Sequence, residues 1–257
     1  MENFLDKLGI ELNEQTRLTS ESTFQFSCHK GLSCYNNCCS NPDIFLTPYD
    51  ILRMKNRLGL SSAEFLSAYT EPVIQQESKL PFVRLKLHDE GKCKFVAEEG
   101  CTVYNDRPLA CRYYPIGFGI HKNATAGGND FYFLIKEAHC KGFEEEQEWT
   151  VGEWRKSQEI DDYDDKNRVW MDIILDKKLL SPELEPNEKS LKMFFMASYD
   201  LDAFRDFMME SRFLQVFEVD DELLQMVKTD EAELMLFAHQ WLQYALFKKP
   251  TMTLRQS

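Results

Sequence analysis

The chain has 257 residues, of which 43% are hydrophobic and 28% are charged, and its formal net charge is -13. This composition excludes wholesale disorder, and the length suits either one large domain or two smaller ones. The negative net charge argues against nucleic acid as a partner, because phosphate binding needs clustered Lys and Arg.

The sequence also argues against export and membrane insertion. No run of about 18 apolar residues occurs, so we expect no transmembrane helix. The first ten residues include Glu2 and Asp6 and have no basic n-region, which argues against a secretory signal. We therefore expect a cytoplasmic protein without a membrane partner.

The first half of the chain predicts short strands and short helices. In chain order we predict a strand at residues 24–26, helices at 48–58 and 62–69, a strand at 80–87, and a hairpin made of 117–121 and 131–137. Thr47 and Pro48 suit the start of the first helix and Gly59 suits its end. Gly127-Gly128 lies between the two arms of the hairpin, where a turn is needed.

Two further residues have a predicted role at helix ends. Pro72 is expected to end the second helix, because proline cannot donate the next backbone hydrogen bond. Asp106 is expected to cap one helical turn that contains Pro108 and Cys111, with Pro115 as its end.

The chain becomes more acidic after its last cysteine. Residues 1–140 have a net charge of -2, and residues 141–257 have a net charge of -11. Apolar residues recur with helical spacing in the later part. We predict an α+β fold with three parts. These are an N-terminal lead-in (residues 1–20), a cysteine-cluster metal-binding domain of short strands and helices (residues 21–180) and an acidic helical C-terminal region (residues 181–257).

The cysteines are the most informative residues. There are eight, and all precede residue 141: Cys28, Cys34, Cys38, Cys39, Cys93, Cys101, Cys111 and Cys140. A cytoplasmic chain of this size does not need disulfides, so clustered thiols indicate metal ligands or redox groups. The alternative is a set of buried, inert cysteines, which is common for single residues.

The spacing of the thiols suits coordination of one or more metal ions. Zinc takes four ligands in tetrahedral geometry, with sulfur at about 2.3 Å. Cys38 and Cys39 are adjacent, and neighbouring side chains in extended backbone point to opposite faces. The pair therefore lies in a tight turn or divides between two neighbouring metal centres.

The metal itself is not determined by the sequence. Thiolates suit both zinc and iron-sulfur chemistry, and the ferredoxin-type C-x2-C-x2-C spacing is absent. Nearby basic residues could offset the charge of the thiolates: Lys30, Lys92, Lys94, Arg107, Arg112 and Lys141. For the two arginines, a structural pairing is the favoured interpretation over substrate binding.

The histidines give weaker indications. His29 and His139 adjoin cysteines, so either could replace a thiolate or support one from outside the coordination sphere. His88, His121 and His239 are expected to be ordinary surface or half-buried residues.

Residues 93–115 read CKFVAEEGCTVYNDRPLACRYYP. This segment closely resembles the signature of the CxxCxxCC-type cysteine-cluster family, the zinc- or iron-chelating domains also called YkgJ-like. Residues 44–51, after the adjacent cysteines, resemble the family's entry into its first helix, and Cys140 is similar to its closing cysteine. The resemblance covers about residues 27–170 and implies metal chelation by the cysteines.

The first cysteine group departs from the family's namesake spacing. Its thiols follow C-x5-C-x3-C-C instead of C-x2-C-x2-C-C, which leaves Cys28 less supported as a ligand than Cys34, Cys38 and Cys39. A relative of the family is the flagellin lysine N-methylase. That distant similarity implies protein-lysine N-methyl transfer as an alternative function, although the chain has no glycine-rich cofactor loop.

Three functions are therefore compared. The first is a zinc- or iron-binding protein, with an iron-sulfur cluster as one form of the site. The second is an enzyme, which would need an open coordination position, and an unligated Cys28 would leave one. The third is a thiol redox sensor based on the adjacent Cys38 and Cys39. The acidic C-terminal region is expected to be a solvated surface or a docking site for a protein partner.

Overall fold

The computed structural model describes residues 17–120, 130–180 and 186–255. The strands in these ranges are β1 (Thr23–Gln25), β2 (Phe45–Leu46), β3 (Thr70–Ile74), β4 (Pro81–Leu85), β5 (Val96–Ala97), β6 (Gly100–Cys101), β7 (Ile116–Ile120), β8 (Asp130–Leu134) and β9 (Glu148–Thr150). The helices are α1 (Pro48–Leu58), α2 (Ser62–Tyr69), α3 (Leu109–Tyr113), α4 (Val151–Ser157), α5 (Ile160–Leu180), α6 (Glu188–Tyr199), α7 (Leu201–Glu210), α8 (Phe213–Val216), α9 (Asp221–Thr229) and α10 (Glu231–Phe247). The fold is α+β, as predicted.

The chain divides into two compact units that are not consecutive in sequence. The first, called here the cysteine unit, comprises residues 1–42 and 87–162, and the second, called the helical unit, comprises residues 43–86 and 163–257. All eight cysteines belong to the cysteine unit.

The three-part division expected from the sequence remains a prediction. Its boundaries fall after residues 20 and 180, and residues 1–16 and 181–185 lie outside the described part of the chain. Both units take residues from the stretch 21–180, because strands far apart in sequence pair with each other.

The cysteine unit is built from three two-stranded sheets: β1 with β9, β5 with β6, and β7 with β8. All three pairs are antiparallel. The β7–β8 pair confirms the predicted hairpin, although its turn and His121 lie outside the described residues. A small aromatic core packs beside β1. Within this core, Phe26 packs edge-on against Trp154 with ring centroids 5.5 Å apart.

The helical unit combines one three-stranded antiparallel sheet, β2-β4-β3, with most of the helices. Thr47 and Asp50 form a capping box at the start of α1, and Gly59 ends that helix in the left-handed region with φ 67°. These local signals are why the sequence predicts this helix well. The core includes Phe194, Phe204 and other residues that are fully buried.

Two predicted helix-end residues were assigned wrongly. Pro72 lies inside β3, where it faces Val83, and α2 already ends at Tyr69. Proline is tolerated there because β3 is an edge strand of the sheet. Fewer of its backbone N–H groups have to donate to a neighbouring strand. Asp106 belongs to a 3-10 turn, and α3 begins after Pro108 without a side-chain cap.

No helix among the described residues is both long enough and apolar enough to cross a membrane. The longest, α5, has acidic residues in its first turn and further charges along its length. The cytoplasmic location remains a prediction.

Candidate metal centre

The eight cysteines lie on short, irregular segments of the cysteine unit. Cys38 and Cys39 lie in a 3-10 turn, Asn37–Cys39, and Cys101 ends β6. Cys111 lies in α3. The other four, Cys28, Cys34, Cys93 and Cys140, lie outside the helices and strands. All eight are free thiols, and Cys93 is the one that is buried.

The loop that contains Cys34, Cys38 and Cys39 is attached to the β5–β6 hairpin. The Asn36 side-chain amide donates to Ala97 O at 3.2 Å, and the Tyr35 hydroxyl donates to Glu99 O at 3.4 Å. Gly100 has φ 119° and would place a Cβ 2.5 Å from the Tyr35 hydroxyl oxygen. A glycine is therefore needed for this close approach.

Backbone pairing brings the adjacent cysteines beside Cys93. The Cys93 N–H donates to Cys39 O at 2.9 Å. Ser40 and Lys92 form an isolated antiparallel bridge. The two segments are 50 residues apart in sequence, so this contact is produced by the tertiary fold.

The segment after Cys140 is attached to the beginning of the same loop. The Ser27 N–H donates to Gly142 O at 3.0 Å, and the Lys141 N–H donates to Cys34 Sγ at 3.1 Å. The second bond holds the Cys34 side chain against the segment that follows Cys140. This donor was missed from the sequence, because any residue after Cys140 would supply the same N–H.

Burial and neighbouring groups shift the pKa of several thiols. Burial, followed by negative charge on Cys38, Cys34 and Cys140, raises the pKa of Cys28 to about 11. A hydrogen bond between Cys39 and Cys38 lowers the pKa of Cys38 to about 7 and raises the pKa of Cys39. Repulsion between thiolates of this kind is what a bound cation relieves.

Residues 27–149 match the model of the CxxCxxCC family, whose description is "putative zinc- or iron-chelating domain". The matched segment, a little under half of the chain, is therefore similar to the CxxCxxCC domain. No curated protein and no solved structure matches the chain. The similarity to the flagellin lysine N-methylase therefore remains a prediction, as does the YkgJ-like label.

Arg112 is a structural anchor of the cysteine unit. It is 1% exposed, and its guanidinium donates to the carbonyl oxygens of Arg107, at 3.2 Å, and Gln158, at 2.7 Å. It also donates to Asn105 O and pairs with Glu159 at 3.2 Å. The expected structural role is therefore supported, with backbone carbonyls as its main partners in addition to a carboxylate.

Arg107 acts on one of the thiols through its positive charge. Its guanidinium stacks on the Tyr104 ring, 4.0 Å from the centroid, and donates to Tyr104 O and to Gln158 Oε1. Burial raises the pKa of Cys101, and the positive charge of Arg107 opposes this increase. Arg107 therefore favours the thiolate form of Cys101.

The histidines beside the cysteines are engaged elsewhere. His29 Nε2 lies 3.2 Å from Glu145 Oε2, and His139 Nε2 lies 3.6 Å from Glu137 Oε2. The expectation for His239 was wrong: it is fully buried in the helical unit, and neither ring nitrogen has a hydrogen-bond partner among the described residues. Its position in the apolar α10 explains this, because helical periodicity directs it into the core.

The donor chemistry of the cysteine unit suits a thiophilic metal, since the unit offers eight free thiols and thiolates bind zinc and iron. Within residues 17–120, 130–180 and 186–255, no three His, Cys, Asp or Glu side chains lie together as a formed coordination site. The ligand set stays a prediction, and metal binding would have to draw the thiols together.

Proposed function

We propose that the CxxCxxCC domain binds zinc or iron through cysteine thiolates, with Cys28, Cys34, Cys38, Cys39, Cys93, Cys101, Cys111 and Cys140 as the ligand set. The proposal depends on one observation: the fold gathers eight free thiols from distant segments into one compact unit. The family description, zinc- or iron-chelating, agrees with it.

The exposure of the thiols argues against the alternative that they are inert cysteines of the core. Inert cysteines behave as small apolar side chains and are buried. Here Cys28, Cys38 and Cys111 are exposed, four others are half-buried, and Cys93 alone is buried. An exposed thiol gains nothing from packing, so a role as a ligand accounts better for this distribution.

The charge of a loaded site would be offset by the surrounding protein. Four thiolates around Zn²⁺ leave a net charge of -2, and an oxidised cubane iron-sulfur core of charge +2 leaves the same. Lys30 and Lys141 are already paired with Glu99 and Glu144. Arg107 donates to neutral oxygens, so its charge is available to the thiolates.

Each metal would supply different chemistry: zinc a tetrahedral cross-link, and an iron-sulfur cluster an electron-transfer centre. The residues of this chain would do the same in either case. The Lys141 N–H would hold the Cys34 thiolate, and Arg107 would favour that of Cys101. Arg112 would fix α3, on which Cys111 lies.

The metal content of anaerobically purified protein tests the proposal. We expect stoichiometric zinc in a colourless protein, or iron with acid-labile sulfide in a brown one. A Cys34→Ser/Cys93→Ser double variant should lose metal, whereas Ser33→Ala, a change at an exposed serine beside Cys34, should keep it. Protein that contains neither metal and takes up neither on reconstitution would overturn the proposal.

Protein-lysine N-methyl transfer gains no support from the described residues, and it remains only what the resemblance implied. A protein partner for the acidic C-terminal region likewise remains a prediction.

A further inference from the structure

We infer that a groove on the cysteine unit, formed by β9 and α4, is a docking site for an arginine-bearing segment of a partner protein. The groove contains none of the cysteines, and the inference does not depend on bound metal.

The groove is formed where a strand runs directly into a helix. β9 ends at Thr150 and α4 begins at Val151, with a capping box between Thr150 and Glu153 that fixes the start of the helix. A cavity of about 370 Å³ lies against both elements. Its lining residues come from the strand and from one side of the helix: Gln147, Glu148, Trp149, Glu153, Lys156 and Ser157.

Trp149 gives the groove a rigid aromatic wall. Its indole Nε1–H donates to Phe26 O at 2.9 Å, and its ring packs edge-on against Trp154 with centroids 5.5 Å apart. The side chain is half-buried, and it lines the cavity. Because the indole N–H is already bonded, the surface left for a ligand is aromatic. A ring fixed in this way loses little conformational entropy when a ligand binds.

Carboxylates flank this aromatic wall. Glu148 is exposed, and its carboxylate has no hydrogen bond or ion pair within residues 17–120, 130–180 and 186–255. Glu153 accepts from the Thr150 N–H and hydroxyl through Oε2, at 2.9 and 3.0 Å, which leaves Oε1 for a ligand. Lys156 is the one cation of the lining. The groove therefore has a net negative charge.

An aromatic wall beside carboxylates matches the chemistry of arginine. A guanidinium is attracted to the face of an indole, and its planar set of N–H donors pairs with a carboxylate through two hydrogen bonds. A lysine ammonium is a point charge that neither stacks nor forms the paired bonds. An acidic segment would be repelled by Glu148 and Glu153. The charge and the shape of the groove therefore favour an arginine-bearing segment.

Fluorescence anisotropy with labelled peptides tests the inference on the purified full chain. The probe is a hexapeptide of alternating arginine and glycine, and the reference peptides have glutamate or lysine in place of arginine. We expect the arginine peptide to bind saturably and to bind more weakly as salt rises from about 20 mM to about 300 mM. The lysine peptide should bind at least about threefold more weakly, and the glutamate peptide should not bind.

Three variants locate the binding. Glu148→Lys reverses the charge of an exposed residue of the groove and should weaken binding at least about tenfold. Glu210→Lys is the matched control, because it makes the same change of charge at an exposed residue of the helical unit. It should weaken binding less than about twofold. Trp149→Leu removes the ring and keeps an apolar side chain, and it should also weaken binding about tenfold.

Several results would overturn the inference. Equal weakening by Glu148→Lys and Glu210→Lys would assign the attraction to the net charge of the chain. Binding that neither groove variant changes, equal binding of the lysine peptide, or no binding at about 1 mM peptide would each contradict it as well. Because Glu148 is exposed, its variant decides the question even if Trp149→Leu fails to fold.

Discussion

The cysteine unit and the helical unit are stabilised in different ways. Of the buried hydrophobic residues that the structure describes, eleven lie in the cysteine unit and twenty-seven in the helical unit. The strands of the cysteine unit are two to five residues long, whereas the helical unit includes helices of ten to seventeen residues. A unit with a small core usually needs cross-links or metal ions. The comparison therefore predicts that a metal bound by the cysteines would stabilise the cysteine unit and not the helical unit.

Metal removal should have the largest effect, and it should be confined to one unit. We expect a chelator to increase backbone hydrogen exchange throughout residues 27–42 and 87–120, because the free energy of thiolate binding to zinc is on the order of 10 kcal/mol. Peptides from α6, α7 and α10 should keep their protection. Equal deprotection of both units, or of neither, would break the comparison.

Truncation of Arg112 should destabilise the cysteine unit nearly as selectively. Arg112→Ala removes a buried guanidinium and its hydrogen bonds to the carbonyl oxygens of Asn105, Arg107 and Gln158, which should cost about 3 kcal/mol. Arg168→Ala is the control: this arginine is 67% exposed and paired with Asp165, so its loss should cost less than about 0.5 kcal/mol. Urea denaturation of both variants provides the measurement. Similar midpoints for the two would show that the anchor is unimportant.

The helical unit should instead respond to pH through His239. Burial lowers the pKa of His239 to about 3, against about 6.5 in an unfolded chain. A histidine whose pKa is lower in the folded state stays neutral there, so its contribution to the free energy of unfolding is complete above pH 6.5 and is lost as the pH falls towards 3. Between pH 6.5 and pH 5 this loss should be about 2 kcal/mol.

The difference between wild type and His239→Gln isolates that contribution from other titrating groups. Urea titrations at pH 7 and pH 5, followed through hydrogen exchange of α10, should show a smaller loss in the variant. An identical pH dependence in both proteins would mean that His239 is solvated or paired.

The smallest expected effect is at the start of α1. The Thr47 hydroxyl accepts from the Asp50 N–H at 3.2 Å, and the Asp50 carboxylate accepts from the Thr47 N–H at 2.7 Å. Thr47→Ala should cost about 1 kcal/mol. Ser61→Ala, at the equivalent cap of α2, should cost a similar amount, and both losses should appear in the helical unit. A loss of metal from either variant would contradict the separation of the two units.

Local signals explain why parts of the fold could be predicted from the sequence. Thr47 and Gly59 bound α1 through capping within the helix itself, and the β7–β8 hairpin joins neighbouring segments. The pairing of β1 with β9 could not be predicted, because Gln25 and Glu148 meet only through the tertiary fold. For the same reason the sequence did not predict compact units made of separated segments.

The candidate site shows the same division. The sequence identified all eight cysteines and the family motif, because both are local patterns. It did not predict that Lys141 donates to Cys34 or that Cys39 accepts from Cys93, since both contacts join segments 50 or more residues apart.

X-ray absorption at the metal edge of the purified protein tests the central claim most directly, because it reports the atoms bound to the metal. We expect a coordination shell of sulfur, at the zinc–thiolate distance of about 2.3 Å if the metal is zinc. A shell of nitrogen and oxygen around a bound metal would contradict it, because the eight cysteines would then not be the ligands.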